Sequence, residues 1–325
     1  MVSDFDYDIA VIGAGPAGCS AAIYAALRGL KVALIESNDK PRSKPGESLP
    51  PGVESIFQQL GIWDDICKLK LIRNQGHYIY DEDSKRKLFH TYGQDKNGTW
   101  HGIQLPRILL DTILQKRAET LGIKLITNCH VKNLTIHNGK INLNFNEDKK
   151  ILAKYYIDAT GQHQLFSRKL GIEMLQCSPK LIVQFGYSKD TLPYFELPIF
   201  IKNKNGWRWY AKIDQCLYAW VRLGETKSKS EPYKKYDTYG GADVTWKIAR
   251  QLANHRFFLA GDAACTLDPS AGHGVLRALM TGIMASHIIF NIVKNVCSES
   301  EGYRYYNKWL TNWFRHDMHE LQKRF

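Results

Sequence analysis

The sequence predicts an α/β fold: a doubly wound, three-layer sheet domain, with an antiparallel β-sheet domain interleaved in it and a helical C-terminal tail. Three observations predict it. Tyr7 to Glu36 reads YDIAVIGAGPAGCSAAIYAALRGLKVALIE, which is an apolar run, a glycine turn, an alanine-rich amphipathic run and a second apolar run, hence strand, turn, helix and strand. Leu181 to Gly224 contains four β-rich runs, LIVQFGYS, LPIFIKN, WRWYAKI and CLYAWVRLG, separated by turn residues such as Asn203 to Gly206, so a meandering antiparallel sheet is expected. Phe257 to Gly282 reads as a strand ending in Gly261-Asp262, a Pro269 to Gly274 loop and a helix beginning near Val275.

The turn at Gly13-Ala14-Gly15-Pro16-Ala17-Gly18 has the spacing of a Rossmann-like dinucleotide site. Gly13 permits the sharp turn, Gly15 lets the backbone approach a pyrophosphate, and Gly18 lets the helix pack close to the strand. The pyrophosphate would sit on the unpaired N–H groups at the helix start, around Pro16 and Ala17. Glu36 closes the second strand, where a carboxylate accepts hydrogen bonds from a ribose 2′-hydroxyl. That favours an unphosphorylated ribose, so FAD or NAD rather than NADP. A glycine-rich turn that binds nothing is the plainer alternative.

With 325 residues, the chain is long enough for one large domain or two intertwined ones with a real core. The first strand begins within about ten residues of Met1, leaving no room for a signal peptide. The apolar stretch Ile283 to Val293 is interrupted by Ser286, His287 and Asn291 and reads as too short to span a bilayer. A cytoplasmic location without membrane contact is therefore expected. The seven cysteines never stand in C-x-x-C spacing, which suggests reduced thiols and neither a disulfide framework nor a metal site. The formal charge of +12 is gathered in clusters such as Lys85-Arg86-Lys87, Lys149-Lys150, Lys227 with Lys229, and Lys234-Lys235. No nucleic-acid recognition motif accompanies it, and an acidic protein partner or substrate is the better use of it.

Between these landmarks lies a loop, Ser37 to Pro51, with Arg42, Glu47 and Ser48, leading into a helix over Val53 to Leu60. A strand is expected at His77 to Tyr80. Apolar residues at Ile108, Leu109, Ile113, Leu114 and Ala118 have helical spacing, with Arg107 at the start; Arg107 and Asp111 can also form a simple i, i+4 surface pair. Strands follow at Lys124 to Thr127, Val131 to Ile136 and Lys140 to Phe145, the last two joined by a hairpin turn at Asn138-Gly139. Tyr155 to Gly161 is a strand ending in Asp158-Ala159-Thr160-Gly161. The aromatics Trp207, Trp209, Tyr210, Tyr218 and Trp220 suit sheet packing better than a substrate box. From Tyr303 the tail is helical.

The glycine motif followed by Gly46-Glu47-Ser48-Leu49 resembles the class A flavoprotein monooxygenases, in the branch that holds flavin-dependent halogenases. The resemblance implies FAD, held by Gly13, Gly15, Pro16, Ala17, Gly18, Glu36, Arg42, Ser48, Arg107, Val131, Asp158, Gly161, Gly261, Asp262, Pro269, Gly272, Gly274 and Val275. In the G-D-A-A-x-x-x-x-P-x-x-G-x-G block, Asp262 would bind the ribityl chain and the helix start would face the flavin. Two departures stand out. Halogenases carry a lysine just ahead of a strand where this chain has Arg73, Asn74, Gln75 and Gly76, with Lys70 a few residues earlier. Trp207-Arg208-Trp209 matches the start of the halogenase W-x-W-x-I-P signature, but Ala211-Lys212 replaces its end. Ala242 to Trp246, Leu267 to Pro269 and His273 to Met280 look still more like flavoproteins that mature tryptophylquinone enzymes. The implied domains are 1–75, 100–180 and 245–295 for FAD, 76–99 and 181–244 for a substrate-covering sheet, and 296–325 for the tail. The implied activity is hydroxylation of an electron-rich aromatic ring, such as a tryptophan of a partner protein, with His273, Glu47 and Asp268 as acid–base or orienting residues. Electrons would come from NAD(P)H or a reductase. Halogenation, small-molecule hydroxylation or polyprenyl reduction, and a flavin-binding chaperone without turnover are the alternatives.

Overall fold

The structure is a computed structural model describing residues 5–42, 44–96, 98–137, 140–145, 151–189, 196–224 and 237–323. The Asn138-Gly139 turn and the lysine clusters Lys149-Lys150, Lys227 with Lys229, and Lys234-Lys235 lie outside the described residues.

A six-stranded sheet runs Lys124–Ile126, Val32–Ile35, Tyr7–Ile12, Ala153–Asp158, Phe257–Leu259, Ala253–Asn254. All neighbours are parallel except the last pair. Ile9 to Ile12 and Val32 to Ile35 are buried throughout, as unbroken apolar strands in a sheet covered on both faces must be. The first helix, Pro16–Ala26, crosses the long helix Gly274–Val293 at close range. A methyl on Gly282 would come within 3.0 Å of the Ala17 carbonyl carbon. Ser20 Oγ donates to Leu279 O at 3.0 Å and Ser286 Oγ to Ala21 O at 2.8 Å, so the two buried hydroxyls fasten the crossing.

The long helix differs from the sequence expectation. Its start at Gly274 agrees with the expected start near Val275, but the apolar stretch extends well ahead of Ile283: at 20 residues, with a mean hydropathy of 1.5 over its apolar window, the helix is long and apolar enough to cross a membrane by length and composition alone. Here 61% of that apolar window is buried inside the fold, where it forms core. The tail helix, Glu299–Gln322, also begins earlier than Tyr303. Ser298 and Glu301 form a reciprocal capping box that starts it, and Tyr306, Leu310, Phe314 and Leu321 bury its inner stripe. None of the seven cysteines stands in a disulfide.

A seven-stranded cap sheet is built from two separate segments of the chain, in the order Asp237–Asp243, Ile182–Ser188, Leu217–Gly224, Gly206–Asp214, Ile199–Asn203, Gly76–Asp81, Arg86–Thr91. It is antiparallel with one exception: Gly76–Asp81 lies parallel to Ile199–Asn203, because strands from distant parts of the chain meet there. Period-two alternation splits its side chains. Val183, Phe200 and Trp207 pack with Ile79 and Trp209 on one face, and Ile199, Tyr210, Tyr218 and Trp220 pack with Tyr78 and Tyr80 on the other. A small sheet of Ser48–Leu49, Gly102–Gln104 and Ile72–Asn74 joins the two halves.

Candidate active site

The three glycines of the first turn do three different things. Gly13 has φ +102°, and a methyl there would reach 2.7 Å from the Ala159 carbonyl carbon, so the turn also lets two strand ends lie together. A methyl on Gly18 would reach 2.9 Å from the Gly13 carbonyl carbon. Gly15, in contrast, has nothing within 4 Å of a methyl: its Cα faces open ground. The helix that follows has no side-chain cap, so its first N–H groups point at that ground unpaired by any side chain. Glu36 closes the loop from the other side. Its carboxylate accepts the Ala14 N–H at 2.8 Å and the Asn38 side-chain amide at 2.8 Å. Burial opposes its charge, but these hydrogen bonds outweigh burial and its pKa is lowered. Cys129 donates its N–H to Glu36 O, which brings Val131, two residues on, to the same end of the sheet.

The second motif docks onto the first. A methyl on Gly261 would meet the Ala17 methyl at 3.1 Å, so the Gly261-Asp262 turn fits against the first helix. The half-exposed Asp262 carboxylate takes a hydrogen bond from Gln162 Nε2 at 3.2 Å, beside Gly161. Asp158 is fully buried, and its oxygens hold the Thr160 hydroxyl at 2.7 Å and the Phe166 N–H at 2.8 Å. It therefore shapes the Asp158–Gly161 turn from behind rather than facing the open ground. The Pro269–Gly274 loop leads into a helix whose N-cap position, His273, gives no side-chain cap, while Gly272 and Gly274 both face open space.

The third wall is the Pro45–Leu49 loop. Arg107 Nη1 donates to Pro45 O at 3.2 Å while Nη2 spans both Asp111 oxygens at 3.2 Å. A methyl on Gly46 would touch Arg107 and Val275, each at 3.2 Å, so this loop runs between the arginine and the start of the long helix. Glu47 is 4% exposed and takes hydrogen bonds from the Tyr187 hydroxyl and, at 2.9 Å, from the Gly46 N–H. Burial pushes its pKa up despite those bonds and the nearby Arg107. Two cap tryptophans one step apart on the same face fasten the sheet to two loops: Trp209 Nε1 donates to Ser48 Oγ at 3.1 Å, and Trp207 Nε1 to Asp268 at 3.3 Å. Asp268 also caps its own turn through the Ser270 N–H at 2.8 Å, which makes its carboxylate part of the loop's framework. A cavity of about 330 Å³ lined by Leu181, Leu223, Trp246 and Asp268 opens beside it. Asn74, at the inward position of the strand ahead of the cap, is 4% exposed and its amide nitrogen has no partner. Arg42 is exposed and Lys70 is exposed.

Two uncapped helix starts, an arginine whose buried Nε has no partner, and methyl-sized openings at Gly15 and Gly274 suit an extended anionic dinucleotide. Residues 6–188 match the family described as FAD binding domain. The chain belongs to that FAD-binding family. Among curated relatives, a 1H-pyrrole-2-carbonyl-[peptidyl-carrier protein] chlorinase of Pseudomonas fluorescens is 26% identical over 96% of this chain and 82% of its own. A brominase of the same carrier-bound pyrrole, from Pseudoalteromonas luteoviolacea, is 26% identical over 89% and 78%. A digeranylgeranylglycerophospholipid reductase of Methanothrix thermoacetophila is 25% identical over 93% and 82%. In fold, the chain matches the flavin-dependent brominase Bmp2 with a TM-score of 0.81 at 21% identity, over 93% of this chain and 83% of that one. It also matches CmlS, a flavin-dependent halogenase, at 0.85 and 21%, over 96% and 63%. As a member of this FAD-binding family the chain is an FAD-dependent oxidoreductase, with a halogenase-like fold.

Several residues here had no signal in the sequence. Tyr187 reaches the site only because the cap folds over it, Gln162 is a single polar residue in a loop, and Gln104, a single polar strand residue, accepts the Ser48 hydroxyl at 2.7 Å; Trp209 was marked by the W-x-W motif, but not the loop it fastens. For Tyr187, strand alternation fixes that Phe185 and Tyr187 share a face but not which face is inward.

Proposed function

We propose that the chain is an FAD-dependent monooxygenase that places oxygen on an electron-rich aromatic ring, with a tryptophan side chain of a partner protein as the substrate class that fits best, and that it works in the cytoplasm. The observation that carries this is Asn74. The strand end where halogenases are expected to present a lysine here presents a buried, uncharged amide, and among the described residues no lysine is buried. The resemblance of Ala242 to Trp246 and His273 to Met280 to the tryptophylquinone-maturing flavoproteins supports the partner-protein substrate.

FAD, once bound and reduced by NAD(P)H or a reductase, supplies the oxygen-activating chemistry. The chain's own residues would do the rest. Glu36 and the first helix start would hold the ribose and diphosphate, Asp262 the sugar-alcohol chain, and Arg107 with Gly46 one edge of the ring system. Glu47, whose pKa burial raises, would stand with the Tyr187 hydroxyl as the acid–base pair of the site where water is excluded. Trp207 and Trp209 hold the cap over both loops, and the cavity beside Asp268 has room for an aromatic ring.

Halogenation is the second reading, favoured by the names of the chlorinase and brominase relatives. One experiment separates the two. The purified protein is incubated with FAD, a chemical flavin reductant, oxygen and chloride, in parallel with free tryptophan and with a candidate partner protein, and products are read by intact mass. Oxygen added to the partner's tryptophan is the expected result; chlorine on either substrate would overturn it.

A further inference from the structure

Strand Arg86–Thr91 ends the cap sheet. Among the described residues its one neighbour is Gly76–Asp81, and all six of its residues are exposed. The direction of its backbone groups follows from the other side of that neighbour. Tyr78 and Glu82 donate their N–H groups to Pro198 and Lys202, away from the edge. Residues 77, 79 and 81 therefore face the edge strand, and they bond to their opposites His90, Leu88 and Arg86. Lys87, Phe89 and Thr91 are left with N–H and C=O turned outward, a ready template for one more strand.

The side chains say which strand. Leu88 is 56% and Phe89 47% exposed, one on each face of the sheet. The neighbouring acids are already engaged: Asp81 pairs with Lys202 at 3.8 Å and Glu82 pairs with Arg208. Lys85 and Arg86 have no ion partner among the described residues, and Lys87 lies over the Tyr78 ring at 4.2 Å. The edge is thus cationic along its start and apolar in its middle. A second copy pairing here would bring two such cationic stretches together on a chain of net charge +12.

We propose that this edge docks an extended acidic segment of a protein partner by strand addition, a placement that rests on the protein-substrate reading above. The strand is next to the site: His90 packs on His77 at 5.2 Å, His77 packs on Trp209 at 5.5 Å, and Trp209 bonds Ser48 of the flavin loop. Main-chain bonds would give the affinity, and Lys85, Arg86 and Lys87 would choose the charge.

The test uses the full chain with bound FAD and two labelled octapeptides, alternating valine–glutamate and alternating valine–lysine. Binding is read by anisotropy, and amide exchange of single residues by NMR. The glutamate peptide should bind and slow exchange at Lys87, Phe89 and Thr91 at least about tenfold, leaving Leu88 and His90 unchanged. Arg86→Glu with Lys87→Glu should weaken binding about tenfold. Phe89→Pro, which removes an outward donor and no ladder bond, should abolish it, with the fold checked by circular dichroism. Unchanged exchange at the three amides, or equal binding of the lysine peptide, overturns the proposal. So does protection of those amides in the protein alone that grows with its concentration, since a second copy would then hold the edge. Incubation with the candidate partner protein, read by intact mass, keeps the readings apart. Turnover without protected amides refutes only the docking, and protected amides without oxygenated product refute only the activity.

Discussion

Replacing Gly15 and Gly18 separately by alanine should divide binding from folding. At Gly18 the added methyl overlaps the Gly13 carbonyl and lies 2.9 Å from its carbon. Gly13 cannot yield, because its own N–H is held by Ile35 O at 2.7 Å and its Cα is pressed against Ala159. The cost should exceed the roughly 1–3 kcal/mol of ordinary overpacking. At about 2–4 °C per kcal/mol for a chain of this order of size, that is a fall of some ~10 °C in Tm or loss of folded protein. At Gly15 the backbone is extended (φ −79°, ψ −172°), open to any residue, and nothing stands within 4 Å of the methyl. Stability without FAD should therefore stay level or rise by about 0.4–1 kcal/mol, through a less flexible unfolded chain. The methyl would, however, occupy the ground a diphosphate needs to reach the helix N–H groups, and FAD affinity should fall at least about tenfold, about 1.4 kcal/mol. Thermal melts of the flavin-free variants and a titration with FAD measure both. An unchanged FAD affinity for Gly15→Ala, or a Gly18→Ala protein as stable as the parent, would refute the division of labour among these glycines.

Asp262→Ala should purify colourless, since the carboxylate opposite Gln162 is the one half-exposed acid of the second motif; full flavin absorbance would remove it from the site. Glu47→Gln should stabilise the protein relative to the parent as pH rises above the ordinary glutamate value of 4.5, because burial raises the folded pKa and the parent must charge a buried group on the way up. Melts from pH 4 to 8 check the sign, and a parent that gains on the variant with rising pH contradicts it. Trp209→Phe loses the 3.1 Å bond to Ser48 and leaves a gap at the cap, so turnover should fall more than FAD content; an equal fall in both would mean the residue serves only the cofactor. Asn74→Lys should yield no chlorinated product, because a lysine at that buried position would lose its hydration and be driven to move out or shed its charge; chlorine in the product mass would refute this.

The strand–turn–helix–strand at Tyr7–Glu36 was legible because buried parallel strands are written as unbroken apolar runs and the glycines have fixed tasks. The helix at Val53–Leu60 was legible for similar local reasons: an amphipathic repeat flanked by Pro51-Gly52 and Gly61. What the sequence hid was everything decided by contact at long range. That Asp158 serves its own turn while Asp262 faces outward cannot be told from two strand ends that both finish in an acid near a glycine. The parallel pair inside the cap was hidden because each strand alone alternates like an antiparallel one. The tail helix starts at the Ser298–Glu301 capping box, ahead of the expected start at Tyr303, because the reciprocal cap satisfies the first turn's N–H groups.

That parallel pair also sets the timing of synthesis. Asn203 and Lys204 meet Glu82 and Asp83 across 121 residues, so the hairpin of Gly76–Asp81 and Arg86–Thr91 leaves the ribosome long before the strand that will cover its inner edge. At about 5–20 residues per second the wait is on the order of ten seconds. Throughout it the hairpin has two bare edges instead of one, with Tyr78, Ile79 and Tyr80 uncovered between them. Crowding, temperature and the help of chaperones act during that interval, so the yield of folded protein depends on this one strand junction in a way that the stability of the finished molecule does not.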